Sequence, residues 1–250
     1  MKNFTKNFIS KILKNFGYSI INDNQNIVEL SKKQESYINI ATKYSMTPKI
    51  RIFNLLQSIE HIYNNNIEGD FIECGVWRGG NLILMKKFID EHNIQKKIYG
   101  YDTFEGMTPP LNDDFEINSN KSAISLLEND KLKKTNVWGY CSLENVKKNI
   151  LGVFGNADNI NLIKGPVEET LLVHNNVPEK ISLLRLDTDF YSSTKIELEK
   201  LYHRVSKNGV IIIDDYGHWN GSRKAVDEFF KEKHVWKHYV DYACRLIVKN

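Results

Sequence analysis

The sequence is poor in the residues that staple or anchor a chain. Its 250 residues include three cysteines, Cys74, Cys141 and Cys244, which are scattered and form no C-x-x-C pair. Neither a disulfide framework nor a cysteine-based zinc site is supported. A reducing cytoplasm is the expected setting. No apolar run approaches about 18 residues, so no membrane span is expected. The N-terminus lacks the compact apolar core and small-residue cleavage site of a secretory signal. The net charge is only +3. No stripe of Lys and Arg interleaved with aromatics runs along the chain, so nucleic acid is not an expected partner. The G-x-G-x-x-G turn that cradles a pyrophosphate is also missing. What remains is an ordinary globular composition, 41% hydrophobic and 26% charged.

The first 68 residues read as a helical extension that packs on the core. Phe4, Phe8, Ile9, Ile12, Leu13 and Phe16 recur at helical spacing, with Lys2, Lys6, Lys11 and Lys14 between them. A basic amphipathic helix over residues 1–20 follows. It is expected to pack on its own domain or on a partner subunit, with a membrane surface as the second use; a homo-oligomer is the expected assembly. Residues 22–45 are polar and read as irregular. Thr47 then suits an N-cap and Pro48 the first helical position, ahead of a buried stripe of Ile52, Leu55, Leu56, Ile59 and Ile62.

Residues 69–250 read as an α/β domain. Phe71–Cys74 is the first strand, and it runs through the turn Gly75-Val76-Trp77-Arg78-Gly79-Gly80 into a helix. Lys97–Tyr101 is the second strand and ends at Asp102. A glycine turn lets a ligand approach the backbone near a helix N-terminus. An acid at the end of the second strand is placed to grip a ribose diol. Residues 103–122 form a loop long enough to be a lid or a disordered segment.

The densest signal comes later. Ile181–Leu186 and Gly209–Ile213 read as buried strands joined by a helix, so they should be parallel and adjacent. Their C-terminal ends then gather Asp187, Asp189, Asp214 and Asp215 at the edge where open α/β sheets bind ligands. Four such carboxylates repel one another unless a cation sits among them. Mg²⁺ suits that role, because it prefers oxygen ligands and keeps sites open for water or substrate. Arg185 is read as supporting the cluster or pairing structurally, and His218, just past it, as a candidate base.

The ribose site fits an NAD enzyme and an S-adenosylmethionine enzyme equally. Tyr191 and Lys195 match the Y-x-x-x-K spacing of short-chain oxidoreductases. Against that stand the missing pyrophosphate turn, the two closing strands around residues 236–248, which are methyltransferase-like, and the acids, which have no role in hydride transfer. A cofactor-binding scaffold without catalysis is the remaining alternative.

Segments 69–80, 101–107, 184–194, 213–219 and 223–227, in that order, resemble the macrocin O-methyltransferase family. The likeness runs over most of residues 44–248 and covers 1–43 and about 115–135 poorly. It implies a Rossmann-like class I methyltransferase fold, with a mostly parallel seven-stranded sheet and an antiparallel last strand. It also implies S-adenosylmethionine and Mg²⁺ as cofactors, with a sugar or glycan-type hydroxyl as acceptor. By the resemblance Asp187, Asp214 and Asp215 look like metal ligands and Asp189 like the general base. Glu73, Gly75 and Asp102 look like cofactor-binding residues, with Trp77 and Gly79 in the same turn. Thr47 falls in a segment that closes over the cofactor.

Overall fold

The computed structural model describes residues 30–250 and, ahead of them, Leu13. The amphipathic helix expected over residues 1–20 otherwise lies outside the described residues. The chain divides into two compact units, residues 1–33 and 34–250. Among the described residues no helix is long and apolar enough to cross a membrane.

The irregular reading of residues 22–45 is corrected from Lys32 onward, where α1 spans Lys32–Ala41. Its polar composition hides three inward residues, Tyr37, Ile38 and Ala41. The Tyr37 ring lies 5.7 Å from that of Phe88 and its hydroxyl donates to Glu91. Gln34 donates to Glu60 at 3.0 Å. Tertiary contacts hold such a helix more than propensity does. The next helix, α2, spans Lys49–Asn64 with Pro48 at its cap position. The Thr47 cap is corrected too: its hydroxyl accepts from Arg185 at 3.3 Å and lies 3.5 Å from the Asn81 amide.

The chain then alternates strands and helices. In order come β1 (Asp70–Cys74), α3 (Gly80–His92), β2 (Ile98–Asp102), α4 (Ala123–Asn129), α5 (Leu143–Phe154), β3 (Ile160–Lys164) and α6 (Val167–Thr170). After them come β4 (Ile181–Leu186), α7 (Tyr191–Leu201), β5 (Val205–Ile213), α8 (Asn220–Phe229), β6 (His238–Tyr239) and β7 (Arg245–Val248). The strands form a seven-stranded sheet ordered β3-β2-β1-β4-β5-β7-β6. β1 to β5 are parallel, and β7 runs antiparallel to both β5 and β6. The sheet expected from the sequence is present, antiparallel last strand included. The strand order switches direction between β1 and β4, so their C-terminal ends open a crevice there.

Strand alternation sends side chains to opposite faces. Ile72, Leu184 and Ile211 join Leu198, Leu201 and Val226 of α7 and α8 in one core. The intervening residues Glu73 and Arg185 are paired across β1 and β4 and face Asn81 of α3. A buried polar pair therefore lies under the α2–α3 face, immediately behind the crevice.

The 103–122 segment is tied down rather than free. Asp114 is fully buried, and its carboxylate accepts the amides of Tyr191 at 2.8 Å and Leu111 at 2.7 Å. Asn220 donates its amide to Phe115 at 3.0 Å, and Ile117 donates to His218 at 2.8 Å. Asp114→Ala strands two backbone donors and should cost about 1–3 kcal/mol in chemical denaturation. It should also open residues 103–122 to limited proteolysis, and unchanged protection would show that Asp114 is not the clamp.

Candidate active site

Four adjacent strands deliver the site in order along the crevice. Asp102 ends β2, Gly75 follows β1, Asp187 follows β4, and Asp214 and Asp215 follow β5. One cavity of about 240 Å³ is lined by Thr47, Gly75, Trp77, Asp102, Asp187, Asp189, Asp214 and Asp215, together with Met46, Arg51 and Glu168 among others. Eight of the sequence-derived site residues thus share one space.

At the β2 end, Asp102 accepts amide hydrogens from Val76 at 2.8 Å, Trp77 at 3.0 Å and Phe104 at 2.6 Å. Burial raises its pKa and those amides oppose the rise. Its carboxylate therefore shapes the glycine turn and still has lone pairs for a ligand hydroxyl. Gly75 has φ +87°, and a Cβ there would lie 1.9 Å from the carbonyl oxygen of Asp187. No other residue fits that approach.

At the β4–β5 end the acids surround Arg185, which is 1% exposed. Its guanidinium donates to Glu73 at 2.8 Å, Asp187 at 2.6 Å and Asp214 at 2.7 Å. Arg51, from the first turn of α2, holds the other Asp214 oxygen at 2.5 Å and Asp241 at 2.7 Å. Burial would raise the Asp214 pKa, but Arg185 and Arg51 outweigh it and hold the group below its ordinary value. The other acids go the opposite way. Burial, then repulsion from Asp189 and Asp214, holds Asp215 well up. Asp187 is also held well up, by burial despite Arg185, with Asp214 and Asp215 adding to the rise. Asp189 rises to about 7, through burial and then the charge of Asp187.

Two guanidinium charges cannot neutralise this many carboxylates, and the remainder suits a cation. One oxygen each from Asp187, Asp214 and Asp215 lies within 4.8 Å of the others. Asp215 Oδ2 is buried and has no hydrogen-bond partner among the described residues. An all-oxygen set of three carboxylates fits a hard divalent ion such as Mg²⁺. Asp214 can still take part, since each oxygen bound to an arginine keeps a second lone pair.

Asp189 adopts φ +67°, a left-handed turn right after β4. Its carboxyl stands close enough to Asp187 and Asp214 for their charges to raise it. Three sequence-derived residues stand outside the cavity lining. Glu73 is 1% exposed and turned to Asn81 and Arg185. Gly79 is the left-handed cap of α3. His218 lies against Tyr242 and Glu116, and burial lowers its pKa. The Tyr191–Lys195 pair is outside it as well. The Tyr191 hydroxyl donates to Glu228 at 2.7 Å, with Lys195 3.4 Å away. Arg51 and Asp241 had no place in the sequence reading. Their one sequence signal is an Arg four residues before Leu55, on the buried stripe of a helix.

The model of a known family, Macrocin-O-methyltransferase (TylF), matches residues 2–245. Demethyldecarbamoylnovobiocin O-methyltransferase of Streptomyces niveus is 31% identical over 191 residues, 76% of this chain and 68% of that protein. The 8-demethyl-8-(2,3-dimethoxy-alpha-L-rhamnosyl)-tetracenomycin-C 4'-O-methyltransferase of Streptomyces olivaceus is 30% identical over 188 residues, 74% of this chain and 67% of that one. Among solved structures, the O-methyltransferase NovP superposes with a TM-score of 0.74 at 22% identity, over 87% of this chain and 98% of that one. That likeness shows the fold, a class I methyltransferase.

Glu73 offers a test of the buried charge balance. Burial outweighs Arg185 and Asn81 and lifts it from 4.5 to about 7. The folded state then binds more protons than the unfolded state between those values, so its contribution to stability is full below about 4.5 and falls as pH rises toward 7. Melting in metal-free buffer from about pH 5 to about pH 8 should show this loss, and Glu73→Gln should flatten it. Equal slopes for the two proteins would sink the assignment.

Proposed function

The chain belongs to the macrocin O-methyltransferase family, and from that premise we propose that it moves a methyl group from S-adenosylmethionine to a sugar hydroxyl of a small-molecule acceptor, with Mg²⁺ at Asp187, Asp214 and Asp215. The observation that carries this reading is the single cavity joining the Gly75–Asp102 end to the acid end. The first supports a nucleoside and the second a polyhydroxyl acceptor on a metal. The name of the Streptomyces olivaceus relative, a rhamnosyl tetracenomycin 4'-O-methyltransferase, supports an acceptor sugar within a larger molecule.

The donor supplies a methyl carbon already activated on a sulfonium. The acceptor oxygen bonds to that carbon as the carbon–sulfur bond breaks, and S-adenosylhomocysteine leaves. The hydroxyl proton must go to a base inside the cavity. Asp189 is that base: it lines the cavity, whereas His218 does not. Asp187, Asp214 and Asp215 would hold Mg²⁺, which would supply the Lewis acidity that makes an acceptor hydroxyl easier to deprotonate. Asp102 would take the ribose diol, and Met46, Thr47, Pro48 and Arg51 supply further wall of the same cavity.

Asp189→Asn should lower kcat by about 10²–10⁴-fold, with S-adenosylhomocysteine affinity unchanged in calorimetry. Asp102→Ala should weaken that affinity instead. Asp214→Asn should abolish Mg²⁺ binding and turnover together. The assay is a mass-spectrometric screen of sugar acceptors for the gain of one CH₂, with and without chelator. Full activity under chelation and in Asp214→Asn would remove the metal. Donor binding with no turnover on any acceptor would favour a non-catalytic scaffold.

A further inference from the structure

Arg51 connects the acid cluster to the surface beside it. It holds Asp214 and Asp241, and its guanidinium carbon lies 5.6 Å from the centre of the Tyr242 ring. Tyr242 sits in the turn between β6 and β7, and that turn is held from several sides. Asp241 Oδ1 accepts the amides of Ala243 at 2.9 Å and Cys244 at 2.8 Å. Gly217 donates its amide to Ala243 at 2.8 Å. A Cβ on Gly217 would lie 1.7 Å from the Tyr242 carbonyl oxygen, so the two segments are pressed together. On this fixed backbone the Tyr242 side chain stays open, with the residue 52% exposed.

Polar groups stand at the edge of the ring. The Tyr242 hydroxyl is 3.4 Å from His218 Nδ1. His218 Nε2 is 3.9 Å from Glu116 Oε1. That gap is too long for a direct hydrogen bond and suits one hydroxyl bridging the two. His218 also donates its amide to Asp215 at 3.0 Å, so the pair stands immediately beyond the acids. An aromatic face takes the C–H face of a pyranose, and a bracketing donor and acceptor take its hydroxyls. A side chain on a fixed backbone does this at small entropic cost.

We propose that Tyr242, His218 and Glu116 form a subsite for a second sugar ring, glycosidically linked to the ring whose hydroxyl is methylated. This rests on the function proposed above and names more of its substrate: a disaccharide or a longer glycoside.

The test titrates S-adenosylhomocysteine-loaded protein, with Mg²⁺, against matched methyl glycosides of mono- and disaccharides, read by calorimetry and saturation-transfer NMR. The best disaccharide should bind about tenfold tighter than its parent monosaccharide, a difference of about 1.4 kcal/mol. Tyr242→Ala should erase that margin and Tyr242→Trp should keep it. Melting temperature and S-adenosylhomocysteine affinity should stay the same in both variants. Identical behaviour of wild type and Tyr242→Ala toward every probe, including no binding by either, overturns the subsite. A Tyr242-dependent preference for p-nitrophenyl glycosides over disaccharides overturns the sugar assignment in favour of an aromatic aglycone. If the margin and its loss are seen but no probe is methylated, the subsite stands and the proposed reaction falls. Equal disaccharide methylation by wild type and Tyr242→Ala sinks the subsite alone.

Discussion

One buried guanidinium holds the site together. Arg185 joins Glu73 of β1, Asp187 beyond β4, Asp214 beyond β5 and Thr47 ahead of α2. It does so because β1 and β4 pair in the register that sets Glu73 opposite Arg185. A buried charge network of this kind is weak support for stability but costly to break, about 3–5 kcal/mol when one partner is removed. Its larger consequence is electrostatic. Arg185 has one charge to divide among three carboxylates, and Arg51 adds one more, spent on Asp214 and Asp241. Asp187, Asp189 and Asp215 are left short of cations, and burial, with repulsion from their neighbouring carboxylates added, raises them. The same deficit that makes the folded site unfavourable by itself makes it receptive to a divalent ion.

The parts of this site that were legible in the sequence are those built by neighbours in sequence. Two buried strands with a helix between them fix a parallel pair, and acids just past each strand must then meet. The glycine turn and Asp102 follow the same logic. Arg51 was not legible, because its partners lie 163 and 190 residues away. Nothing in local spacing announces a contact at that range. Asp114 was missed for a related reason. Its partner, the Tyr191 amide, is 77 residues on, and the segment between reads as polar loop. α1 was hidden because only three of its ten residues turn inward.

Side-chain direction was the other blind spot. Glu73 precedes the glycine turn by two residues, which places its backbone at the crevice. The alternation of β1 then turns its carboxylate to the α2–α3 face, where Asn81 and Arg185 take it. His218 follows Asp215 by three residues, yet the pairing of its carbonyl with Ile117 and of its ring with Tyr242 sets it beside the acids rather than among them. Thr47 shows the reverse case. It suits a helix cap by type, and its hydroxyl is used by the buried arginine instead.

The glycine turn and the acid cluster are one construction. Gly75 donates its amide to Tyr101 at 2.8 Å on one side, and Asp187 donates to Cys74 at 2.9 Å on the other. The missing Cβ of Gly75 is the space that the Asp187 carbonyl fills. A side chain at that position would therefore push the nucleoside half and the acid half of the cavity apart, whatever it did to ligand contacts. Methyl transfer from a sulfonium needs an aligned carbon, sulfur and oxygen more than it needs an activated donor, and alignment alone accounts for up to about 7–11 kcal/mol in favourable reactions. In the proposed reaction that alignment is set by backbone hydrogen bonds between β2, β1 and β4. In the proposed subsite the Tyr242 side chain at the rim is then free to differ with the acceptor without disturbing the distance between donor and acid.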